Sequence, residues 1–250
     1  MQALRDLIKP ERLTAVVNVG ALATAENPPY QRMMEEGLCE VVGFEPQPDS
    51  LIQLNQRKGP NETYLPHAIG NGQQHMLHLT GAPGMVSFLE PDPTKAALFH
   101  GFPEWSKVHH IKPTATTRLD DIDAVRHIDL LQADVQGYEI EVLRSGRYKL
   151  AEAVAIQVEV AFVTLYKGQP TFADVDIELR AMGFMPHCFV GAKVVPIAAP
   201  VMSPCSTPHQ LIDGDMMYVR DVTKPMAPQQ WKHLAMVAHH VCGSFDLAMI

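Results

Sequence analysis

The sequence predicts an α/β protein with a mostly parallel β-sheet and helices on both faces. Through the first two thirds of the 250-residue chain, short apolar runs of strand length alternate with segments of helical periodicity. Such alternation is typical of a parallel sheet whose crossover helices cover both of its faces. Later, two strand-like runs at residues 184–190 and 193–197 flank Gly191 with no helix between them. They predict a hairpin that adds an antiparallel strand to the sheet.

The predicted strands are short, rich in apolar and β-branched residues, and bounded by turn-forming residues. In chain order they cover residues 15–19, 40–44, 63–65, 76–79 (a short edge strand), 128–134, 153–160 and 216–220. The helices have similar boundary signals, and residues 48–58, for example, stop before Gly59-Pro60. The predicted helices cover residues 28–37, 48–58, 93–100, 138–146, 172–183 and 228–242.

Two stretches lack a regular pattern. Residues 81–117 are rich in Pro and His, and we expect a loop there apart from the short helix at 93–100. Residues 196–208 are expected to form a second, Pro-rich loop. Long irregular segments in compact domains often act as lids or binding loops, and a surface excursion is the alternative. Substrate choice is expected to depend on these two loops.

The composition disfavours several classes of protein. With 20 Lys and Arg against 28 Asp and Glu, the net charge of −8 argues against nucleic acid as a partner, because that binding needs clustered cations. The four cysteines form no CxxC pair, and the adjacent histidine pairs do not suit one ion, so no metal site is predicted. No apolar run is long enough to span a bilayer, and residues 1–13 lack the apolar region of a signal peptide. We expect a cytoplasmic protein without an integral membrane segment, folded as a single domain with its core at about residues 14–220 and a helical extension at 221–250.

Ligands of a parallel sheet bind beyond the carboxyl ends of its strands, so the residues at the strand tips are the candidates for function. After the first strand, Gly20 would let the backbone approach a ligand closely, although a structural turn explains it equally well. The GxGxxG pattern is absent, so a dinucleotide pyrophosphate has no binding mechanism there. Glu45, followed by Pro46, ends the second strand, where a carboxylate can accept both hydroxyl protons of a ribose. Capping the next helix and facing water are the alternatives for Glu45.

Two further strand tips carry polar candidates. His67 and Ala68 follow the third strand, where such positions commonly line an adenine slot, although a histidine satisfied by its neighbours is the simpler interpretation of His67. Asp134, with Gln136 behind it, ends the strand at residues 128–134. A carboxylate at this tip can orient a cationic group, act as a base or bind a metal.

The other acids are interpreted from their local surroundings. Glu159 lies inside an apolar run, where an acid is costly unless it is paired or functional. It is therefore a candidate substrate ligand or general base, and a buried pair with Arg or Lys is the alternative. Asp129 is expected at the surface. Glu139 and Glu141 begin a helix, where acids interact favourably with the helix dipole.

In their order along the chain, these residues resemble the FkbM-type methyltransferases. The resemblance runs from about residue 14 to residue 220, and its strongest part is the block DLLQADVQGYEIEVL at residues 129–143. The other matching pieces are VNVGA at 17–21, GFEP at 43–46, TRLDD at 117–121 and EV at 159–160. The resemblance implies a Rossmann-like methyltransferase fold with a seven-stranded sheet. It also implies S-adenosylmethionine as the cofactor and a hydroxyl or similar oxygen as the acceptor.

The resemblance also implies a role for each strand tip. Gly20 and Ala21 would lie under the methionine part of the cofactor, next to Asn18. Glu45, followed by Pro46, would hold the ribose. The remaining implied roles are His67 and Ala68 at the adenine, Asp134 and Gln136 near the methionine group and the acceptor, and Glu159 on the substrate side. Because methyl transfer to a hydroxyl needs a base, Asp134 and Glu159 are the predicted catalytic residues.

The sequence departs from the family pattern in the turn after the first strand. Asn18 stands where Asp is usual, and Leu22 and Thr24 stand where Asn and Gly are usual. Because an amide cannot pair as an anion with the cofactor's ammonium group, a cofactor-binding or interaction protein without catalysis is an alternative function. A nicotinamide-dependent oxidoreductase is a further alternative, against which the missing glycines count. The acceptor is expected to be a hydroxyl on a small molecule, a glycan or a lipid-linked compound, and the sequence does not specify the oligomeric state.

Overall fold

The computed structural model describes residues 2–22, 27–198 and 208–250. In these ranges, seven strands form one sheet in the order β3-β2-β1-β7-β8-β10-β9, and β4-β6-β5 form a smaller sheet. Only β10 runs antiparallel to its neighbours in the larger sheet, so the predicted seven-stranded, mostly parallel sheet is confirmed. The strands are β1 Thr14–Val19, β2 Cys39–Phe44, β3 Glu62–Leu65, β4 Ala68–Ile69, β5 Gln74–Thr80, β6 Val108–Thr117, β7 Leu130–Ala133, β8 Ala155–Ala161, β9 Phe184–Val195 and β10 Gln210–Arg220.

Helices pack on both faces of the larger sheet, as predicted. Val17 and Leu131 face a core that includes Leu143 of α6, whereas the alternate residue Val16 faces a second core with Leu234 of α8. The α-helices are α1 Gln2–Ile8, α2 Gln31–Glu35, α3 Pro48–Arg57, α4 Pro93–Ala96, α5 Phe102–Trp105, α6 Glu139–Ser145, α7 Phe172–Ala181 and α8 Pro228–Val237. Within the three described ranges, no helix combines the length and apolar character that crossing a bilayer requires.

The predicted hairpin around Gly191 is wrong. Residues 184–195 form one continuous strand, β9, which pairs antiparallel with β10. Gly191 lies inside β9 opposite Asp215, beside a shift in the pairing register. A glycine within a strand often marks such an irregularity rather than a turn. Thr24, Cys205 and most of the predicted loop at 196–208 lie outside the described residues.

The stretch predicted as loop plus one helix also contains a ten-residue strand, β6. β6 pairs with β5, so the predicted edge strand at residues 76–79 belongs to the smaller sheet. The helix predicted at 93–100 is shorter than expected and ends at Ala96 as α4, and a separate short helix, α5, follows at Phe102–Trp105. Most side chains of β6 are exposed, and Pro113 interrupts the apolar pattern, so the sequence carries little of the alternation that identifies a half-buried strand.

Asp129 is buried, which contradicts its predicted surface position. Only 2% of Asp129 is exposed, and its carboxylate accepts a hydrogen bond of 2.7 Å from the Ala15 backbone N–H. The Arg12 guanidinium donates to the same carboxylate, with Nη2–Oδ1 at 3.0 Å. A buried carboxylate is tolerated when it is paired and hydrogen-bonded. Because Arg12 is far away in the chain, the local sequence gave no sign of this pair.

Candidate functional site

Two adjoining cavities open at the carboxyl ends of the parallel strands. Cavity A, of about 110 Å³, lies over the ends of β1, β2 and β7 and is bordered on the other side by residues 83–88. Cavity B, of about 1060 Å³, extends along one face of the larger sheet. The two cavities share the lining residues Gly20, Leu22, Gly84 and Asp134. The tips of β1, β2 and β7 therefore border two adjoining cavities, as the general rule for parallel sheets leads us to expect.

Gly20 joins the ends of β1, β2 and β7. Its φ angle is +86°, in the left-handed region, and a Cβ atom at this position would lie 2.0 Å from the Asp134 carbonyl oxygen. The backbone N–H groups of Gly20 and Ala21 both donate to the Phe44 carbonyl oxygen, at 3.2 and 3.0 Å. Only glycine combines this backbone angle with this close approach, so the residue fixes the geometry between the two cavities.

Glu45 lies at one end of cavity A and is 2% exposed. Its Oε1 atom accepts a hydrogen bond of 2.7 Å from the Gln47 backbone N–H, and Ser50 contributes a further hydrogen bond. Burial raises the pKa of Glu45, while these hydrogen bonds act in the opposite direction. Glu45 therefore both lines the cavity and holds the turn that leads into α3.

Pro46, His67 and Ala68 line the same end of cavity A as Glu45. The His67 Nδ1 atom lies 3.4 Å from the Thr117 hydroxyl, and the His67 ring lies edge-on to Phe44 at 6.3 Å between centroids. Ala68 is buried at the start of β4. A flat ligand group at this end would thus meet a histidine ring and small apolar side chains.

A cluster of carboxylates lies beside the other end of cavity A, which one of them, Asp134, lines. Oxygen atoms of Asp134, Glu139 and Glu159 lie within 4.8 Å of one another. The Gln136 Nε2 atom donates to Asp134 Oδ1 at 2.8 Å and to Glu159 Oε2 at 2.9 Å. Glu139 accepts hydrogen bonds from the Val135 and Gly137 backbone N–H groups, at 2.9 and 3.1 Å. Three carboxylates at this spacing offer oxygen ligands of the kind that divalent cations take, but the described contacts also give each of them a hydrogen bond.

The crowding of this cluster favours the protonated forms. Burial raises the pKa of Glu159 well above its usual range, and the charges of Asp134 and Glu139 add to the rise. Burial also raises the pKa of Asp134, against the opposing hydrogen bond from Gln136, although the Asp134 side chain is open to both cavities. Burial raises the pKa of Glu139 to about 7. Adjacent carboxylates that cannot all ionise share protons readily, so this cluster can accept and release a proton.

Gln136 is held in place by two residues that no sequence motif indicates. The Tyr166 hydroxyl donates to Gln136 Oε1 at 3.1 Å, and the Ser87 hydroxyl donates to the Gln136 carbonyl oxygen at 2.7 Å. Gln136 has a φ angle of +54°, which is uncommon outside glycine, and Gly137 follows with +96°. Neither Ser87 nor Tyr166 lies in a recognisable motif, so only the tertiary structure connects them to the site.

The structure separates the predicted site residues into three groups. Cavity A is lined by most of them: Gly20, Glu45, Pro46, His67, Ala68, Asp134 and Gln136. Asn18 and Ala21 line cavity B, and the Asn18 Nδ2 atom donates to the Tyr30 hydroxyl at 2.8 Å. Glu159 is not among the described lining residues of either cavity and contacts the site through Gln136.

A family model for the FkbM methyltransferase domain matches residues 18–186, about two thirds of the chain. These residues include every strand tip that borders cavity A. The predicted membership in a methyltransferase family is therefore confirmed, and it supports the predicted methyl donor, S-adenosylmethionine. No curated protein sequence matches the chain.

Several solved methyltransferase structures show a distant similarity. Magnesium protoporphyrin IX methyltransferase from Synechocystis PCC 6803, solved with bound SAM, is 14% identical with a TM-score of 0.42, over 88% of this chain and 78% of that one. Precorrin-6y C5,15-methyltransferase from Geobacter metallireducens is 11% identical with a TM-score of 0.40, over 88% of both chains. A putative methyltransferase from Thermoplasma acidophilum is 11% identical with a TM-score of 0.40, over 84% of this chain and 69% of that one. Identities and TM-scores this low assign no function. The family assignment therefore rests on the match of the FkbM domain model to residues 18–186.

Proposed function

Because the chain belongs to the FkbM methyltransferase domain family, we propose that it transfers a methyl group from S-adenosylmethionine to a hydroxyl oxygen of an acceptor. The observation that carries this proposal is the arrangement of cavity A, with one buried acid at the β2 end and a proton-accepting cluster at the β7 end. Glu45 and Asp134 both line this cavity. A ribose needs the first feature and a reacting hydroxyl needs the second.

The residues of cavity A fit a nucleoside cofactor. Glu45 would accept hydrogen bonds from the ribose hydroxyls, and His67 and Ala68 would border the adenine. A side chain at position 20 would collide with the Asp134 carbonyl oxygen, so glycine allows the ends of β1 and β7 to lie this close together beside the cofactor. At about 110 Å³, cavity A is smaller than the roughly 300–1,000 Å³ of most small-molecule sites. The rest of the cofactor would therefore extend past Gly20 into cavity B.

S-adenosylmethionine, when bound, supplies a methyl group that is activated for transfer to a nucleophile. We assign to Asp134 the removal of the hydroxyl proton of the acceptor, because its carboxylate is open to both cavities. Its raised pKa makes it a stronger proton acceptor than an ordinary aspartate. Gln136 would orient Asp134 and Glu159 through its two hydrogen bonds, and Glu159 would take part in sharing the proton.

The experiment that tests this proposal is a calorimetric titration with S-adenosylhomocysteine and, separately, with NAD. We expect S-adenosylhomocysteine to bind and NAD to bind at least tenfold more weakly, because no glycine-rich turn is present for the pyrophosphate. Tight binding of NAD alone would contradict the methyltransferase proposal and favour an oxidoreductase.

A cofactor-binding protein without catalysis is the second candidate, and Asn18 favours it. Because residue 18 is Asn, this position offers no carboxylate to the ammonium group of a methionine. The Asn18 Nδ2 atom donates to the Tyr30 hydroxyl instead. S-adenosylhomocysteine binding without turnover on any of a panel of hydroxylated compounds would support this candidate. Restored turnover in Asn18→Asp would instead attribute the loss of activity to that one substitution.

A further inference from the structure

One face of the larger sheet changes from apolar to polar partway along its strands. Val16 of β1 lies in an apolar row that is packed against α8, and this row also contains Val41, Leu130 and Ala155. Two residues further along the strands, Asn18, Gln132 and Gln157 pair in register on β1, β7 and β8. Because side chains two residues apart in a strand share a face of the sheet, these three amides lie beside one another on the face that carries Val16. We call Asn18, Gln132 and Gln157 the amide row. All three line cavity B.

The two glutamines of this amide row have unused hydrogen-bonding capacity. Gln157 is only 3% exposed, and its Oε1 atom has no hydrogen-bond partner among the described residues. The Oε1 atom of the half-buried Gln132 is in the same situation. An unsatisfied buried acceptor destabilises the fold, and most buried polar groups have a hydrogen-bond partner. Two adjacent acceptors that line a large cavity are therefore suited to receive hydrogen bonds from a ligand.

The charges around cavity B restrict the chemistry of that ligand. Its described lining carries one basic side chain, Arg57, and four acidic ones, Glu35, Glu62, Asp134 and Asp215. A cavity with an excess of negative charge disfavours phosphates and carboxylates. At about 1060 Å³, cavity B has room for a small molecule beside part of a cofactor.

We propose that cavity B binds the methyl acceptor, and that the acceptor is a neutral compound dense in hydroxyl groups, such as a sugar ring. Hydroxyl groups of the acceptor donate to Gln132 and Gln157, which select for this class of compound. This inference rests on the proposed function, since it takes the occupant of cavity B to be the acceptor. Asp134 lines both cavity A and cavity B. An acceptor bound along the amide row in cavity B therefore lies in the same cavity as the Asp134 carboxylate, the proposed base.

The test uses methyl β-glucopyranoside as a hydroxyl-dense probe and cyclohexanol as a probe of similar ring size with one hydroxyl. The full chain is labelled with ¹⁵N and saturated with S-adenosylhomocysteine, and each probe is titrated while the side-chain amide signals are followed by NMR. We expect the glucoside to shift the Gln132 and Gln157 signals and to bind at least tenfold more tightly than cyclohexanol. Gln157→Leu and Gln132→Leu should each weaken glucoside binding at least tenfold.

Two further variants separate a lost contact from a damaged fold. Gln157→Met keeps the length of the side chain and should lose the same affinity for the glucoside. Gln53→Leu is the matched control, because Gln53 is exposed on α3, and it should bind the glucoside as the wild type does. All variants should keep their affinity for S-adenosylhomocysteine within about threefold, which also verifies folding.

The inference about the acceptor and the proposed function fail in different ways. Unshifted Gln132 and Gln157 signals, unchanged glucoside affinity in the leucine variants, or equal binding of cyclohexanol would overturn the inference while leaving cofactor binding intact. Absence of S-adenosylhomocysteine binding to the wild type would overturn the proposed function. Glucoside binding at the two glutamines would then show a sugar site that serves another purpose.

Discussion

Glu45, at one end of cavity A, and Glu159, which contacts the other end through Gln136, lie in contrasting surroundings. Burial raises the pKa of Glu45 and of Glu159, but hydrogen bonds from Gln47 and Ser50 oppose the rise at Glu45. At Glu159, the neighbouring carboxylates Asp134 and Glu139 add to it. An acid surrounded by donors is suited to holding a ligand through its charge, whereas an acid among other acids is suited to exchanging a proton. The neighbours of Glu45 thus favour its charged form, whereas the neighbouring carboxylates favour the protonated form of Glu159.

The largest effect should follow from Asp134→Asn, which changes only the carboxylate cluster beside cavity A. We expect turnover to fall by about 100- to 10,000-fold, the usual contribution of a general base. Affinity for S-adenosylhomocysteine should stay within about threefold, and stability should not fall, because one of three crowded carboxylates is neutralised. Release of S-adenosylhomocysteine with an acceptor that the wild type methylates is the measurement. Asp123→Asn, at an exposed position, is the control; undiminished turnover in Asp134→Asn would make Asp134 a structural residue.

Gly20→Ala should disturb both ends of cavity A, because Gly20 lies where the ends of β1, β2 and β7 meet. The new Cβ atom would lie 2.0 Å from a backbone oxygen at a φ angle of +86°, so neither a side-chain movement nor an ordinary backbone angle relieves the contact. We expect a loss of about 2–3 kcal/mol in the free energy of unfolding, measured by denaturant titration. Gly84→Ala is the matched control, since no atom lies within 4 Å of its added Cβ. Equal stability of the two variants would contradict this account of Gly20.

Glu45→Ala should produce the opposite pattern to Asp134→Asn. We expect S-adenosylhomocysteine to bind more weakly by about 1.5–3 kcal/mol, the range for hydrogen bonds to a charged group, as measured by calorimetry. Turnover at saturating cofactor should change much less than the binding. Glu45→Gln keeps the shape and part of the hydrogen bonding, so its loss should be smaller. An unchanged dissociation constant in Glu45→Ala would remove Glu45 from the ribose role.

The smallest effect concerns stability as a function of pH. The pKa of Glu159 is raised in the folded state, so the folded protein binds this proton more tightly than the unfolded chain does. The stability from Glu159 is therefore fully present below the unfolded pKa of about 4.3 and is lost as the pH rises through the folded pKa. We expect Glu159→Gln to be more stable than the wild type at pH 8, with a gap that shrinks toward pH 4. Glu104→Gln, at an exposed position, should show no such trend in denaturant titrations.

The sequence was sufficient to predict the central strands and the residues at their tips. In β1, β2 and β7, a short apolar run ends at a polar or glycine residue, and the fold of a parallel sheet brings such ends together. Glu45 and Asp134 were predicted to face a common space for this reason, and they line the same cavity. Their roles in binding and catalysis remain predictions.

The features that the sequence did not reveal depend on contacts between distant parts of the chain. The amide row exists because β7 lies between β1 and β8, so the register of three strands decides that Gln132 and Gln157 meet Asn18. The position of the Gln136 side chain depends on a hydrogen bond from Tyr166, which lies in the segment after β8. Gly191 has the local appearance of a turn, and only its pairing with Asp215 places it within a strand.

The pair formed by Arg12 and Asp129 limits how far the chain can be shortened at its beginning. A fragment starting at Thr14 would retain every strand of the larger sheet. It would nevertheless bury the Asp129 carboxylate against the Ala15 N–H and the nearby ring of His233 without the guanidinium that neutralises it. We therefore expect a stable fragment to begin before Arg12, two residues ahead of the first strand, because the buried carboxylate needs the guanidinium.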